Sequence, residues 1–332
     1  MKNGVIFLLL IFLTGCVLNP TKSEKVEFND PVFETLIRNA INKPEGEIEP
    51  WEVEDITVLF GSSQGIEDIS GIEFCVNLEA LLLYGNQISD ITPLEKLGKL
   101  EQVLIGSNSI EDCLPLANLK QLEILDIRDN IIESIASLSE LTRLKELHAN
   151  QNNIQSVDVV ENFKNLHTLN LNDNRVKDIS ALSELTELEE VRLGDNTISN
   201  IQSLSRLWNL RIIDLSYNDI YSVYHVSGLN ALKQLNVSGN NITMIEPLKK
   251  NHNLENLDIS NNQISDLSPL KNLPNFFWLD CDDNEIVDIQ PLVDNPDINS
   301  GVNLRLRNNP LSEKSIQEYI PELLNRGVRI EY

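Results

Sequence analysis

The sequence has few basic residues and lacks the short motifs that mark common enzymes. It contains 26 Lys and Arg residues against 51 Asp and Glu residues, which gives a net charge of -25. Such an acidic surface argues against nucleic acid and against direct contact with anionic bilayers. The sequence shows no glycine-rich phosphate loop, no metal-ligand set and no nucleophile with an aligned base. We therefore predict a non-enzymatic protein that needs no cofactor and does not bind nucleic acid.

A 22-residue repeat fills most of the chain, running ten times without insertion or deletion from Asn77 to Pro296. From its second position each copy follows the pattern L-x-x-L-x-L-x-x-N-x-I-x-x-I-x-x-L-x-x-L. The period is that of a leucine-rich repeat array. The tenth position is asparagine in every copy: Asn86, Asn108, Asn130, Asn152, Asn174, Asn196, Asn218, Asn240, Asn262 and Asn284.

The spacing of apolar residues predicts one strand and one return arm in each repeat. Apolar positions five and seven alternate with positions four, six and eight, which is typical of a strand with one buried face. Positions twelve, fifteen, eighteen and twenty-one recur at a spacing near three, which favours short helical turns. The asparagine follows the strand, and we predict that its buried amide bonds neighbouring backbone groups in a structural ladder. The predicted fold is an α/β leucine-rich repeat solenoid with a curved parallel sheet on its concave face.

The segment before the repeats predicts a helical cap at residues 26–54. Asp30 and Pro31 form a helix start, with an N-cap residue followed by proline. A second short helix is predicted near Pro50, with Trp51 and Val53 facing inward. A cap is expected because a stack of parallel strands leaves an open edge and an exposed core at each end.

The repeat region is predicted to span residues 55–296, as one degenerate copy followed by the ten regular ones. In the degenerate copy Gly61 and Gln64 stand where leucine and asparagine belong. Residues 297–332 are predicted to form a last partial repeat and a C-terminal cap, made of a helix and an edge strand. In that helix, Pro321 is expected to produce a kink.

The first residues predict export and lipid attachment. Residues 1–15 have the pattern of a signal peptide, because the apolar run Val5 to Leu13 is too short to span a bilayer. The tetrapeptide ending at Cys16 resembles the bacterial lipobox, which implies acyl chains such as palmitate on Cys16 and a tether at residues 16–25. A buried N-terminal helix is the alternative. The lipobox implies an outward-facing lipoprotein of the bacterial cell envelope, anchored to a membrane through Cys16.

The other three cysteines fit a core role. Cys75, Cys113 and Cys281 occupy inward positions of their repeats, and no C-x-x-C spacing links them. We predict that they are small core residues and neither disulfide partners nor metal ligands.

The cap sequence F-N-D-P-x-F-x-x-x-I-R-x-A-I-x-K-P, the 22-residue period and the core N-x-I-x-D-I-x-x-L together resemble the internalin-like leucine-rich repeat proteins of bacteria. The resemblance covers nearly all of Val26 to Leu311. It implies a surface protein whose concave sheet holds a protein ligand. The sequence shows neither an immunoglobulin-like segment after the repeats nor a cell-wall sorting signal, so host-cell invasion is not carried over.

The function is expected to lie on the concave face, where positions four, six and eight point. Its first four strands carry apolar residues, which often mark interaction sites. We predict that this face binds a protein or peptide; the alternative is an envelope assembly protein that self-associates through the apolar residues. The candidate contact residues are Phe60, Leu82, Tyr84, Leu104, Ile124, Asp126, His148, Asn170, Arg192, Asp214, Asp258, Trp278 and Asp280.

Three polar or aromatic groups are further candidate sites. His148 is interpreted as an ordinary surface residue, because no Ser or Cys nucleophile stands beside it. Asp258 and Asp280 are expected to face each other across adjacent strands, so that calcium or a basic residue of a partner could relieve their repulsion. A solvated acidic rim without a metal is the favoured interpretation. Tyr217, Tyr221 and Tyr224 form a weaker candidate surface.

Overall fold

The computed structural model of the protein describes residues 25–332. The predicted signal peptide, the lipid site at Cys16 and all of the tether except Lys25 lie outside the described residues. A single sheet of thirteen parallel strands follows the chain order, and this confirms the predicted solenoid. The strands are β1 Val58–Phe60, β2 Ala80–Leu82, β3 Gln102–Leu104, β4 Ile124–Asp126, β5 Glu146–His148, β6 Thr168–Asn170, β7 Glu190–Arg192, β8 Ile212–Asp214, β9 Gln234–Asn236, β10 Asn256–Asp258, β11 Trp278–Asp280, β12 Asn303–Arg305 and β13 Arg329–Glu331.

Short helical turns return the chain from each strand to the next. Apolar residues every third position suit 3-10 geometry, which has three residues per turn. The 3-10 turns are Ile72–Phe74, Thr92–Leu94, Leu114–Leu116, Ala136–Glu140, Asp158–Asn162, Ser180–Glu184, Gln202–Arg206, Tyr224–Val226, Glu246–Lys250 and Ser268–Leu270. The α-helices are α1 Pro31–Ala40, α2 Pro50–Val53, α3 Gln290–Val293 and α4 Ile320–Asn325. Within residues 25–332, no helix is long and apolar enough to cross a bilayer.

One continuous core lies between the strands and the turns. In the first repeat Leu81, Leu83 and Ile88 are fully buried. Cys75, Cys113 and Cys281 are buried there as free thiols, as the sequence predicted. Burial raises the pKa of the Cys75 and Cys113 thiols to about 12, which keeps them protonated and unreactive at neutral pH.

The tenth-position asparagines tie each repeat to the one before it. The Oδ1 atom of Asn196 accepts a hydrogen bond from Val176 N–H at 2.8 Å. Its Nδ2 atom donates to the carbonyls of Leu171, Leu193 and Gly194 at 3.0 to 3.1 Å. The ladder gains a further rung at Asn309 in the partial repeat, which accepts from Ile286 N–H and donates to the carbonyl of Cys281.

The N-terminal cap is fastened to the degenerate repeat through Asp30. One carboxylate oxygen accepts from the N–H groups of Val32 and Phe33 at the start of α1. The other oxygen accepts from Glu67 N–H at 2.7 Å and Asp68 N–H at 3.3 Å. The same side chain therefore caps the helix and ties it to the first coil of the solenoid.

Packing of the cap explains one departure from the repeat and corrects one prediction. A Cβ at Gly61 would lie 2.5 Å from Leu36 Cδ2 of α1, so the cap supplies the leucine that this repeat lacks. Val53 is buried, but Trp51 is 68% exposed and does not face inward. Residues two apart on a helix point about 200° away from each other. Trp51 and Val53 therefore cannot share one face of α2.

The C-terminal cap closes the far end with a helix and β13. Ser315–Tyr319 form one π-helical turn, and α4 follows with Pro321 in its first turn. A local widening of the helix thus precedes the proline, at the place where the sequence predicted a kink. Gly327, with φ at 87°, ends the helix and leads into β13.

Asp30 should make the stability of the protein depend on acid pH. Burial works to raise the pKa of its carboxyl group, but the backbone donors outweigh burial, and the pKa lies below its ordinary value. Because the folded-state pKa lies below the unfolded one, the stabilisation is complete above the unfolded pKa and is lost as the pH falls through the folded pKa. We expect Asp30→Ala to cost about 1–3 kcal/mol at pH 7 and less near pH 3, measured by urea unfolding. The exposed Asp55→Ala is the control, and an equal cost at both pH values for Asp30→Ala would contradict this account.

Candidate ligand-binding face

Positions four, six and eight of every repeat lie on the sheet face opposite the core. The register is strict, so position six forms one column in which Phe60 pairs with Leu82, Leu82 with Leu104, and Leu104 with Asp126. The same column continues through His148, Asn170, Arg192, Asp214, Asn236, Asp258 and Asp280. Ile124 and Trp278 lie in column four, and Tyr84 lies in column eight.

The first four strands carry an apolar patch on this face. We use the name apolar patch for Val58, Phe60, Ala80, Leu82, Leu104 and Ile124. Phe60 is 66% exposed and Val58 is 40% exposed, and the other four are half-buried. Contiguous apolar surface of this kind often marks an interaction site.

Arg128 borders the apolar patch, and its side chain passes over Gly106 to reach the ring of Tyr84. The guanidinium carbon of Arg128 lies 5.4 Å from the ring centroid of Tyr84, two repeats away. Gly106 lies between them in column eight, where a Cβ would come within 3.0 Å of Arg128 Cγ. Arg128 Nη2 also lies 2.6 Å from Asp126 Oδ2. The face thus places an arginine stacked on a tyrosine beside the apolar side chains, an arrangement common at interface hot spots.

Asp126 lies in its predicted column, but its carboxylate is covered. Only 2% of the residue is exposed, because Arg128 folds back over it. Arg128 therefore presents the accessible polar group of this repeat. Arg128 and Gly106 are not among the contact residues predicted from the sequence. The sequence signal was the order Tyr, Gly, Arg in column eight of three successive repeats.

The middle of the face is polar and internally paired. Arg192 Nε bonds the Glu190 carboxylate, and His148 Nε2 lies 3.5 Å from Glu146 Oε2. Asn172 likewise passes over a glycine, Gly194, and its Nδ2 atom donates to Asp214 Oδ2 at 3.0 Å. Asn172 Oδ1 also accepts from Gly194 N–H at 2.7 Å.

Many position-six Asp and Asn residues cap the end of their own strand. Asp214 and Asp258 each accept from both the N–H and the hydroxyl group of the serine two residues later, at 2.7 to 3.1 Å. Asn236 bonds Ser238 in the same way. The local sequence D/N-x-S marks this Asx arrangement. These carboxylates and amides therefore keep only part of their hydrogen-bonding capacity for a ligand.

The acidic end of the face is neutralised from within the chain. Arg305 Nη1 lies 2.8 Å from Asp280 Oδ2, and Arg305 Nη2 lies 2.9 Å from Asp282 Oδ2. Arg305 thus relieves the repulsion that calcium or a basic partner residue could have relieved. The favoured prediction of a solvated rim is wrong for Asp280 and Asp282, which are buried. Within residues 25–332, no group of three or more His, Cys, Asp or Glu residues is arranged to hold a metal ion.

Burial perturbs both aspartates that Arg305 holds. Asp280 is 4% exposed and Asp282 is 5% exposed. Burial raises the pKa of the Asp280 carboxyl group, and the charge of Asp258 adds to the rise. The pKa of Asp282 is raised by burial and then by the charge of Asp280. Burial lowers the pKa of Arg305, but the surrounding carboxylates outweigh it and keep the guanidinium charged.

Position nine follows the face and adopts a left-handed backbone in each repeat. Its occupants are Ser63, Gly85, Ser107, Asp129, Gln151, Asp173, Asp195, Tyr217, Gly239, Asn261, Asp283 and Asn308, all with positive φ. Most are Gly, Asn, Asp or Ser, which tolerate this conformation, whereas a bulky residue is strained there. Gln151 and Tyr217 are the exceptions, and Tyr217, at φ 49°, is the bulkier of the two. A Cβ at Gly239 would lie 2.6 Å from its ring, so the tyrosine lies against that glycine.

This contact predicts an energetic coupling between Tyr217 and Gly239. Tyr217→Asn should stabilise the protein by about 0.5–1 kcal/mol, because asparagine tolerates positive φ and the exposed ring loses little contact. Gly239→Ala should destabilise the original protein more than it destabilises the Tyr217→Asn variant. A double-mutant cycle by urea unfolding measures the coupling, and additive costs would refute the contact.

The chain is similar to known leucine-rich repeat proteins of bacteria. The family model described as "Leucine Rich repeats (2 copies)" matches residues 142–184 and 230–272. The crystal structure of an internalin, inlF, from Listeria monocytogenes is 32% identical, with a TM-score of 0.85, over 92% of this chain and 91% of that chain. The internalin C2 structure from the same organism is 28% identical, with a TM-score of 0.60, over 65% of this chain and 94% of that one.

A plant receptor is also similar. The structure of the plant peptide hormone receptor RGFR1 in complex with RGF2 is 26% identical, with a TM-score of 0.64, over 73% of this chain and 41% of that one. No curated protein sequence matched the chain closely enough to be counted as a relative.

Proposed function

The chain belongs to the internalin family of leucine-rich repeat proteins, and from that premise we propose that it is a lipid-anchored protein of the bacterial cell surface. Its task is to bind a protein or peptide through the concave face. Leucine-rich repeat solenoids generally serve as non-enzymatic binding modules, and the similar plant peptide hormone receptor RGFR1 is in complex with RGF2. We assign this chain a binding role without catalysis.

The observation that carries the proposal is the exposed apolar patch with Arg128 and Tyr84 at its border. Leu82 and Leu104 lie at the centre of the patch, in register on neighbouring strands. A partner that covers them removes apolar surface from water, at about 25 cal/mol per Å². The arginine and tyrosine supply the polar and aromatic contacts that anchor protein interfaces.

Capture of a partner from envelope or culture extract tests the proposal. The bait is the soluble fragment from Val26 to Tyr332, which contains both caps. We expect Leu82→Asp and Leu104→Asp each to reduce the amount of captured partner at least tenfold, since each buries a charge in the contact. Met244→Asp is the matched control, because it adds the same charge at an exposed apolar side chain outside positions four, six and eight. Capture that is unchanged by both leucine variants would exclude the apolar patch as the site.

The mass of the fragment in solution separates capture of another protein from self-association. We expect a monomer, with Leu82 and Leu104 open to solvent. A dimer that is lost in Leu104→Asp would instead support assembly through copies of this chain.

Anchoring at Cys16 has its own test. We expect Cys16→Ser to abolish the incorporation of labelled palmitate and to move the protein from the membrane fraction to the soluble fraction. Cys113→Ala is the control, because that thiol is buried in the core and should not affect labelling. Retention of the Cys16→Ser protein in the membrane fraction would overturn the anchor and leave the binding proposal intact.

A further inference from the structure

The first strand of the sheet has one unpaired edge. In the inner strands, the position-four N–H donates to the position-three carbonyl of the preceding strand, as Ala80 N–H does to Thr57. The position-six carbonyl accepts from the position-seven N–H of the preceding strand, as the Leu82 carbonyl does from Gly61. Within residues 25–332 no strand precedes β1. The N–H of Val58 and the carbonyl of Phe60 therefore point away from the sheet without a strand partner.

A groove runs along this edge. It has a volume of about 560 Å³ and lies between β1 and the second half of α1. Leu36 and Ala40 of α1 and Ile41 just after it supply one apolar wall, and Val58 and Phe60 supply the wall from β1. The groove is continuous with the apolar patch, because Val58 and Phe60 belong to both.

The two ends of the sheet are treated differently. The outer strand at the far end, β13, carries Arg329 and Glu331, and Glu331 pairs with Arg307 at 3.0 Å. Charged side chains on an edge strand discourage pairing with another chain. At β1 the exposed side chains on the concave side are a valine and a phenylalanine. Charged side chains thus discourage strand pairing at the β13 edge, whereas the apolar side chains of β1 leave its edge able to pair with another strand.

We propose that the edge of β1 binds an extended segment of the protein partner, which adds a fourteenth strand to the sheet. This inference rests on the proposed binding function and specifies how the partner is held. Backbone groups of the segment pair with Val58 and Phe60, and its alternate side chains face the groove and the apolar patch. Strand addition of this kind draws affinity from main-chain hydrogen bonds and specificity from alternate side chains.

The charge of the groove defines the composition of the segment. Glu52 and Asp55 are the charged side chains that line it. Glu52 is already paired with Lys43 at 2.6 Å, so Asp55 supplies the acidic group that a ligand meets. The segment therefore alternates apolar and small polar residues and carries lysine or arginine at its ends, where a basic group meets Asp55.

A synthetic peptide tests the edge directly. The probe is a labelled nine-residue peptide of alternating valine and threonine with lysine at both ends, titrated with the full chain in detergent and followed by fluorescence anisotropy. Two derivatives carry backbone N-methyl groups on one alternate set of residues or on the other. Only one set of N–H groups can face β1. We expect one derivative to lose at least tenfold in affinity and the other to match the parent peptide.

A variant of the protein provides the second arm. Val58→Lys places a positive charge beside the edge and should weaken binding of the parent peptide at least tenfold. Met244→Lys, with the same charge change at an exposed side chain outside the concave face, should not. Equal binding of the two methylated peptides, or no effect of Val58→Lys, would overturn edge pairing. Because the proposed function is tested through Leu82 and Leu104, capture that depends on those residues would stand even if edge pairing failed.

Discussion

Replacing Asn196 with alanine should destabilise the protein by about 3–5 kcal/mol. The side chain makes four hydrogen bonds to backbone groups of two repeats. Its loss leaves the N–H of Val176 buried without a partner, which costs about 1–3 kcal/mol. It also removes three further hydrogen bonds, each worth about 0.5–1.5 kcal/mol, although the carbonyl of Leu171 still accepts from Asn174 Nδ2. The effect should be local, because in a stacked array each repeat contacts only its neighbours.

A second asparagine one repeat away is the matched control. Asn209 occupies position one, is exposed, and makes one hydrogen bond of 2.9 Å to the carbonyl of Thr186. Asn209→Ala should cost less than about 1 kcal/mol. Urea unfolding compares the two variants, and hydrogen exchange should show faster exchange at Val176 N–H in Asn196→Ala. Equal costs, or unchanged exchange at Val176, would mean that the ladder does not hold the repeats together.

The repeating part of the fold could be predicted because the same apolar positions are buried in each repeat. Alternation at positions four to eight indicates which residues are buried, and the strict 22-residue step carries that assignment from strand to strand. Leu82 and Leu104 could therefore be placed side by side from the sequence, and the register shows them paired. Asn196 could likewise be assigned to a buried turn, because a polar residue between apolar ones must find backbone partners.

Pairing across repeats could not be predicted in the same way. A long side chain such as Arg128 reaches Asp126 in its own strand and Tyr84 two repeats away, and the period does not say which contact it makes. That choice depends on the absence of a side chain at Gly106 between them. The repeat positions identify which residues lie on the face. The contacts among those residues depend on side-chain length and on positions, such as Gly106, that lack a side chain.

The caps departed from the sequence prediction for a related reason. They obey no repeat, so orientation within them depends on helix length and on the neighbours of each helix. The prediction that Trp51 and Val53 both face inward is wrong, because residues two apart lie about 200° apart on a helix and only Val53 is buried. Gly61 marked a place where another element enters, and the element was Leu36 of the cap.

Arg305→Met should destabilise the C-terminal end of the solenoid by about 2–4 kcal/mol at pH 7. Arg305 is the partner of two carboxylates that are almost completely buried. Removing one partner of a buried ion pair leaves an uncompensated charge, which costs more than the pair contributed. Arg307→Met is the control: Arg307 is exposed and pairs with Glu331, and a surface pair of this kind is worth about 0–1 kcal/mol.

Acid should restore much of the stability that Arg305→Met loses. Burial, followed by neighbouring negative charge, raises the pKa values of Asp280 and Asp282. A carboxyl group whose folded-state pKa lies above the unfolded one holds its proton more tightly when folded, so stability falls as the pH rises from the unfolded pKa through the folded pKa. Without the guanidinium both pKa values rise further, and the pH range over which stability is lost extends toward neutral pH. Urea midpoints should therefore show the gap between the original protein and Arg305→Met shrinking from pH 7 to pH 4.5, the opposite direction from the loss of Asp30 stabilisation in acid. A gap that stays constant or widens would mean that the two aspartates do not depend on Arg305 for their charge.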